Sequence, residues 1–589
     1  MSTFLSARKT SVLIFLVCLV YFAAPLGNRP FYTRGEGREA IVVKAMLETN
    51  NWVLPHEEPI DIATKPPMFH WLGAITATMI GHTNEFAIRF PSALCASAAT
   101  ALFFLWIVQF STVGVALLST LILACSTEWI RSASHARVDM CFAAGFFVAS
   151  AAFLMNVLHR ERTGRASIPY LTIATLAMAF ATLSKGPAGF ILPSAVIVLF
   201  EFTRGPIRKF IFSPAALAIG LCGLGAVALS ALWYVAAYQQ GGDEFLHIHF
   251  YKENLGRFVP IDGKTQGHEK PFYFAFLYLV VGTLPWSIFT PVLIAWGWTK
   301  ARGIDGLRGT GIRYATVWFA VVMLVVSVSE SKRDVYLLPA FPALAYLLGE
   351  ALVSIDRERS FPRQRAMSGY LLAGVGVILL ITGMLVIGFL AFPTEGTKLI
   401  SGFRGNSVDE ILGTMTILRH HLILIVGIFA FGATLIYCAT QFRRHGTRHS
   451  SVWLGGASLA ITLALNTIYA PEIAKLDSPR EFIDHVETVI PKTAHLEQYR
   501  QSFFPAMFYI DRYAPFVAQI DENSQTESRY FLVRRNELPL FEQDAEGERM
   551  LFESETNAAN GDDRLLLMEV PAGLGALGSV PLAAHTAQP

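Results

Sequence analysis

The sequence is short of charge. Asp, Glu, Lys and Arg make up 16% of its 589 residues, against about 25% in soluble globular domains, and mean hydropathy is +0.44. Net charge is only +2, which leaves no global basic field and no case for nucleic acid. Cysteine is equally scarce. Cys18, Cys95, Cys125, Cys141, Cys222 and Cys438 are scattered, with no C-x-x-C among them. That excludes a disulfide framework and a zinc knuckle and leaves small apolar packing residues. Internal repeats and low-complexity tracts are also missing. Length alone suggests several soluble domains, but the apolar runs replace that reading with one membrane body.

A spanning helix needs about 20 apolar residues. Runs of that kind begin near Ser11, Phe86, Val113, Val138, Pro169, Pro187, Ala215, Phe272, Tyr314, Val335, Ser368, His421 and Ser451, which predicts about 13 spans. Arg8-Lys9 before the first run resembles the start of a signal peptide. No small-x-small cleavage site follows, so the run reads as a retained helix.

With the N-terminus in the cytoplasm, alternate loops carry Arg160, Arg162 and Arg165; Arg204, Arg208 and Lys209; Lys300, Arg302, Arg308 and Arg313; Arg357 to Arg365; and Arg443 to Arg448. Only the short first inner loop, Gln109 to Val113, lacks charge. Basic loops on one side fix the direction of insertion. An odd span count then puts the C-terminus outside. From about Pro471 the apolar runs stop. Ser478 to Val489 reads as a helix, with Ser478 as N-cap, Pro479 first and Glu481 three residues after the cap. Tyr530 to Val533 and Leu565 to Glu569 read as strands, and Pro571 onward as a tail. The expected organisation is an all-α polytopic membrane domain over 1–470, with outer loops at 28–85 and 239–270, and a small extracytoplasmic α/β domain over 471–589.

The outer loops hold the chemically loaded residues. The first contains Arg34-Gly-Glu36-Gly-Arg38-Glu39, then Trp52, Thr64-Lys65-Pro66-Pro67 and Trp71. Its charges are bracketed by tryptophans, a pattern that suits an interfacial pocket. Asp139 opens an otherwise apolar helix, where an ionisable group is costly unless paired or functional. Its alternative is a simple salt bridge. Lys185 sits in a tight Ser-Lys-Gly-Pro turn, where snorkelling is the plain reading. His247 and His249 share a face only in a strand, so a metal pair is not favoured. Lys332 and Arg333 put two cations on an outer loop, against the inside-positive trend, and an anionic ligand explains them.

These blocks resemble a known family. Glu36-Gly-Arg38-Glu39, Trp52, Lys65-Pro66-Pro67, Trp71-Leu72, Arg89-Phe90-Pro91, Arg137-Val-Asp139, Ser184-Lys185-Gly186, Arg257-Phe258, His268-Glu-Lys270-Pro271-Phe272, Leu284-Pro285-Trp286 and Ser329-Glu-Ser331-Lys332-Arg333…Tyr336 are similar, in order, to ArnT-like, polyprenyl-phosphate-dependent glycosyltransferases. These are bacterial relatives of protein O-mannosyltransferases with the GT-C membrane fold. Two positions depart from the family pattern. Gly35 stands where the family has the first of two acids, leaving Glu36 with Arg38. Thr64 stands where Glu often precedes Lys-Pro-Pro, and a metal site built on that carboxylate loses its ligand.

The resemblance implies an enzyme of the bacterial inner membrane that moves a sugar from a polyprenyl-phosphate donor to lipid A, lipopolysaccharide or another envelope acceptor, with inversion. It also implies roles. Glu36, then Asp139, are candidates for the catalytic carboxylate. Arg38, Lys65 and Lys185, with Lys332 and Arg333 second, would hold the donor phosphate. His268, Tyr336 and Arg257 are candidates for substrate contact. No cofactor is required, and a divalent metal is left open. The alternatives are a protein O-mannosyltransferase-like enzyme and, from another class, a lipid-linked sugar transporter or flippase. The polar groups cluster in outer loops rather than at the bilayer midplane, and no repeat is present, both unlike a coupled transporter.

Overall fold

The computed structural model describes residues 2–57, 61–253, 270–329, 331–358, 361–400, 407–444, 447–512, 514–520, 528–545, 547–555 and 563–571. The chain divides into two compact units: Met1–Arg29 with Val42–Glu472, and Pro30–Ile41 with Ile473–Pro589. The short first-loop segment that includes Glu36 thus groups with the C-terminal residues.

The first unit is a helical membrane body. Among the described residues, ten helices are long and apolar enough to cross a bilayer. Two bent pairs, Val113–Ala124 with Thr127–Ala133 (63°) and Phe274–Gly282 with Trp286–Thr299 (110°), bring the number to twelve if each is counted as one span. The run expected from Pro187 is the shorter apolar helix Ala188–Phe202. Each of the thirteen apolar runs therefore has a helix or a bent helix pair. The two bends bring a count of unbroken spans down to ten, and the shortness of Ala188–Phe202 keeps the total by length and composition at twelve.

Capping follows the sequence. The Asn84 side chain accepts the Ala87 N–H at 2.9 Å and starts Glu85–Ile107. Thr112 does the same for Val113–Ala124, each satisfying an end donor the helix cannot. Fully buried Arg89 from the Arg-Phe-Pro block donates to the carbonyls of Leu26, at 2.9 Å, and Arg29. Its role is to hold the chain leaving the first span.

Burial is uneven. In Val138–Thr163 and Asp334–Asp356 about nine-tenths of the spanning residues are buried, against about a fifth in Pro362–Ala391. The first two are interior helices, and the third shows most of its surface to lipid. At the basic-loop end of the body, fully buried Glu350 accepts Arg308 Nε at 2.9 Å, the Ser111 hydroxyl and the Tyr346 hydroxyl at 3.1 Å.

The second unit carries a five-stranded sheet. Its strands are β1 (His495–Tyr499), β2 (Phe516–Val517), β3 (Arg529–Arg534), β4 (Arg549–Glu553) and β5 (Leu565–Val570), in the order β2-β1-β3-β5-β4. β1 runs parallel to β2 and β3; β5 is antiparallel to β3 and β4. Side chains alternate between faces. Leu532 and Leu567 pack with Phe482, Ile483 and Val486 of helix Arg480–Val489. Phe531, Val533, Leu566 and Met568 pack with Phe541 on the other face. The helix starts after Pro479, and Ser478 Oγ accepts the Arg480 N–H while donating to the Phe31 carbonyl at 2.9 Å. The two predicted strands are β3 and β5. Residues from 572 onward lie outside the described ones.

Candidate active site

The first unit holds a cavity of about 140 Å³ whose lining includes Thr64, Lys65, Lys185, His249, Glu253, Ser329, Ser331 and Tyr336. Four segments that loop charge puts on the outer side supply it, separated by more than 50 residues at each step. Two ion pairs set its character. Lys185 Nζ is bonded to the Asp139 carboxylate, and Lys65 Nζ to the Glu253 carboxylate. All four side chains are less than a fifth exposed.

Local structure aims Lys185. It is the last residue of helix Ile168–Lys185, where the helix dipole favours a cation. Gly186 follows at φ +92°, ψ −164°, a region only glycine enters at low cost. The chain thus turns sharply and leaves the ammonium at the turn. Tyr336, in the 3-10 turn Asp334–Ala340, sets its ring face 4.2 Å from Lys185 Nζ, and Phe142 lies 5.3 Å away. Aromatic faces hold an ammonium without neutralising it. Asp139 is the second residue of Val138–Thr163, one turn before Phe142 on the same helix. An ammonium carries three donors, so one carboxylate does not exhaust it.

Lys65 is placed by the preceding turn. The Glu57 carboxylate accepts the Thr64 N–H at 2.9 Å and the Thr64 hydroxyl at 2.8 Å. Position 64 therefore has a carboxylate beside it, although the residue itself is threonine. Buried His249 binds the Ala63 carbonyl at 2.9 Å from the π-turn His247–Lys252. His247 is exposed and His249 buried, so the two point apart. The tryptophan bracket closes directly: Trp71 Nε1 donates to the Trp52 carbonyl at 2.7 Å.

The remaining predicted residues divide. Lys332 is buried, and its ammonium donates to the Lys270 carbonyl at 2.9 Å and to the Ser329 carbonyl. It ties two loops together beside Ser329 and Ser331. Arg333 is half-buried and is not among the lining residues. His268 and Arg257 lie outside the described residues. Glu36 and Arg38 belong to the second unit. There Glu36 is buried, with its N–H near Thr33 Oγ1, and Arg38 pairs with Glu39 at 3.0 Å. Gly37 between them lets this helix lie against Phe504-Pro505: a Cβ there would come within 2.5 Å of the Pro505 nitrogen.

Sequence reasoning passed over Glu253 and Glu57 as site residues. A lysine beside a proline pair needs a counter-charge when buried, and acids in the same outer loops were its only candidates. That signal was readable but did not choose between them.

Residues 64–233 match the family described as dolichyl-phosphate-mannose-protein mannosyltransferase. The chain is 27% identical over 402 residues to the undecaprenyl phosphate-alpha-4-amino-4-deoxy-L-arabinose arabinosyl transferase of Pectobacterium atrosepticum, covering 67% of this chain and 68% of the relative. A relative of the same description from Proteus mirabilis is 22% identical over 485 residues, covering 81% and 79%. Among solved structures, ArnT from Cupriavidus metallidurans bound to undecaprenyl phosphate superposes with a TM-score of 0.72 at 18% identity, over 96% of this chain and 99% of that one. At that identity the likeness is one of fold.

Proposed function

We propose that this ArnT-like chain of the GT-C fold is a membrane glycosyltransferase, moving a sugar from a polyprenyl-phosphate donor to an envelope acceptor, lipid A foremost. One observation carries the reading: two partly buried lysines, each held by a carboxylate, border a single cavity under an aromatic ring. A polyprenyl phosphate is a dianionic leaving group on a lipid anchor. It calls for fixed cations at the membrane edge, placed where charge grows as the bond breaks.

In this scheme an acceptor oxygen attacks the anomeric carbon. The bond from that carbon to the phosphate oxygen breaks, and its electron pair leaves with the phosphate. Lys185 and Lys65 stabilise the leaving oxygen. Asp139 and Glu253 fix the two ammonium groups. Glu36 orients the acceptor, or takes its proton where the acceptor is a hydroxyl; a lipid A phosphate is already anionic and needs less of a base. One displacement inverts the anomeric centre.

The orientation that fits puts the N-terminus in the cytoplasm of a bacterial inner membrane and residues 471–589 in the periplasm, after a catalytic membrane domain over 1–470. The basic loops support it. A reporter fused after residue 555 tests it by becoming active on one side only.

The test of function is lipid analysis of a deletion strain, complemented with wild-type chain or with Glu36→Gln. Wild type should restore one sugar mass on lipid A, and Glu36→Gln should restore none while accumulating as folded protein. Unchanged envelope masses on deletion would overturn the transferase reading. Full activity of Glu36→Gln would remove Glu36 alone. A second reading, transfer to protein hydroxyls, draws on the match over 64–233, which contains Lys65, Asp139 and Lys185. Sugar lost from envelope proteins instead of lipid A would select it.

A further inference from the structure

A second and much larger cavity, about 820 Å³, lies elsewhere in the membrane body. Its walls are the bent pair Phe274–Gly282 and Trp286–Thr299, with helices Gly306–Val328 and Phe341–Glu358. The volume falls in the upper part of the range for small-molecule sites, about 300–1,000 Å³. The wall is mostly hydrocarbon. Val280, Ile294 and Trp298 line it and are exposed, the last two by more than half, so the groove opens sideways where the bilayer lies.

Its charged groups are both cationic and both at one end. Arg302 and Arg313 line the cavity, are exposed, and form no ion pair among the described residues. Arg302 lies 5.6 Å over the Trp298 ring. Further in, the buried indole N–H of Trp296, another lining residue, finds no acceptor among the described residues. An apolar trough with two arginines at its mouth and a spare donor below complements a phosphodiester, an ester carbonyl and an acyl chain, in that order.

The donor cannot supply that phosphate. Arg313 and the outer cavity's Val325 are on one straight helix, twelve residues apart, which is about 18 Å at 1.5 Å per residue. A phosphate near Lys185 and one near Arg313 belong to different lipids. Basic pockets between spanning helices at the inside-positive surface are suited to anionic headgroups.

We infer that this groove binds one anionic glycerophospholipid from the leaflet on the basic-loop side, with its phosphate on Arg302 and Arg313 and an acyl chain along the helix Gly306–Val328. The inference goes beyond the transferase reading and does not depend on it.

The test uses the purified, delipidated full chain in mild detergent and native mass spectrometry. Phosphatidylglycerol should add as one molecule per chain, and phosphatidylcholine with the same chains should not compete. Arg302→Gln/Arg313→Gln, two exposed positions, should retain about tenfold less phosphatidylglycerol with an unchanged melting temperature. Ile294→Trp, which fills the trough and leaves both charges, should also reduce retention. Equal retention of the zwitterionic lipid, or of phosphatidylglycerol by the double variant, overturns the inference. Stoichiometric displacement by undecaprenyl phosphate assigns the trough to the donor's tail and overturns it as well.

Discussion

Two buried ion pairs stand near opposite ends of the membrane body, and they are built differently. Near the basic loops, Glu350 is fully buried and saturated by Arg308, Ser111 and Tyr346. It joins two helices and the turn at Ser111, and lines neither cavity described above. On the other side, Lys185 is held by Asp139 on one flank and by a ring face on another, and it borders a cavity. An ion pair closed by hydrogen bonds fixes a packing arrangement. One that faces a cavity keeps donors for a ligand. The same chemistry thus serves rigidity at one end and, in the proposed mechanism, phosphate binding at the other. Substitutions can separate the two roles.

The largest effect should come from the closed pair. Glu350→Ala strands the Arg308 guanidinium and two hydroxyls, and breaking such a pair costs about 3–5 kcal/mol. Thermal unfolding in detergent should show a large drop, while transfer per folded molecule stays near wild type. Intact stability with collapsed transfer would erase the distinction between the pairs. Lys185→Ala should do the reverse. Removing one preorganised group that stabilises a developing oxyanion costs about 10²–10³ in rate, and loss of Lys185 should lower kcat in that range with a smaller drop in melting point than Glu350→Ala gives. Lys185→Arg should rescue poorly, because a planar guanidinium does not reproduce a compact ammonium over a ring. Near-complete rescue would reduce Lys185 to a bulk positive charge.

Gly186→Ala comes next and joins the two roles. Its φ of +92° with ψ −164° costs a non-glycine residue about 1–3 kcal/mol. The strain falls on the turn that presents Lys185, so both stability and transfer should fall by modest amounts. A loss of stability alone would mean the turn relaxes without moving the lysine.

Much of the body was legible because the bilayer imposes length and composition on each span. All thirteen apolar runs found a helix or a bent pair. The bends were only partly legible: at Cys125 the apolar run gives way to Ser126-Thr127-Glu128, but at Leu284-Pro285 it continues while the backbone turns. Of the candidate site, Asp139, Lys185 and Lys65 were readable as costly or oddly placed groups and Tyr336 only through the family resemblance; Lys65, Lys185 and Tyr336 line one cavity with Glu253, and Asp139 holds Lys185. Lys332 was read as a phosphate ligand, yet its ammonium is taken up by two carbonyls. Sequence shows a charge but not the backbone oxygens that will surround it. The assignment of Pro30–Ile41 to the C-terminal unit was likewise unreadable, since it depends on contacts such as Phe31 N–H to the Tyr509 hydroxyl at 2.7 Å, 478 residues apart in sequence.

The smallest effect tests the aromatic flank of the outer pair. A ring face 4.2 Å from an ammonium contributes about 0.5–2 kcal/mol, more when desolvated. Tyr336→Phe keeps the ring and should leave transfer within about twofold. Tyr336→Leu keeps bulk and loses the quadrupole, so Lys185 rests on Asp139 and the more distant Phe142 ring, and transfer should fall about two- to thirtyfold, the same energy expressed as a rate. If phenylalanine and leucine are equally impaired, the hydroxyl rather than the ring matters, and Tyr336 would then be read as touching substrate instead of steering the lysine. If neither is impaired, the Asp139 carboxylate is sufficient by itself. The outer pair would then resemble the closed one more than its cavity suggests.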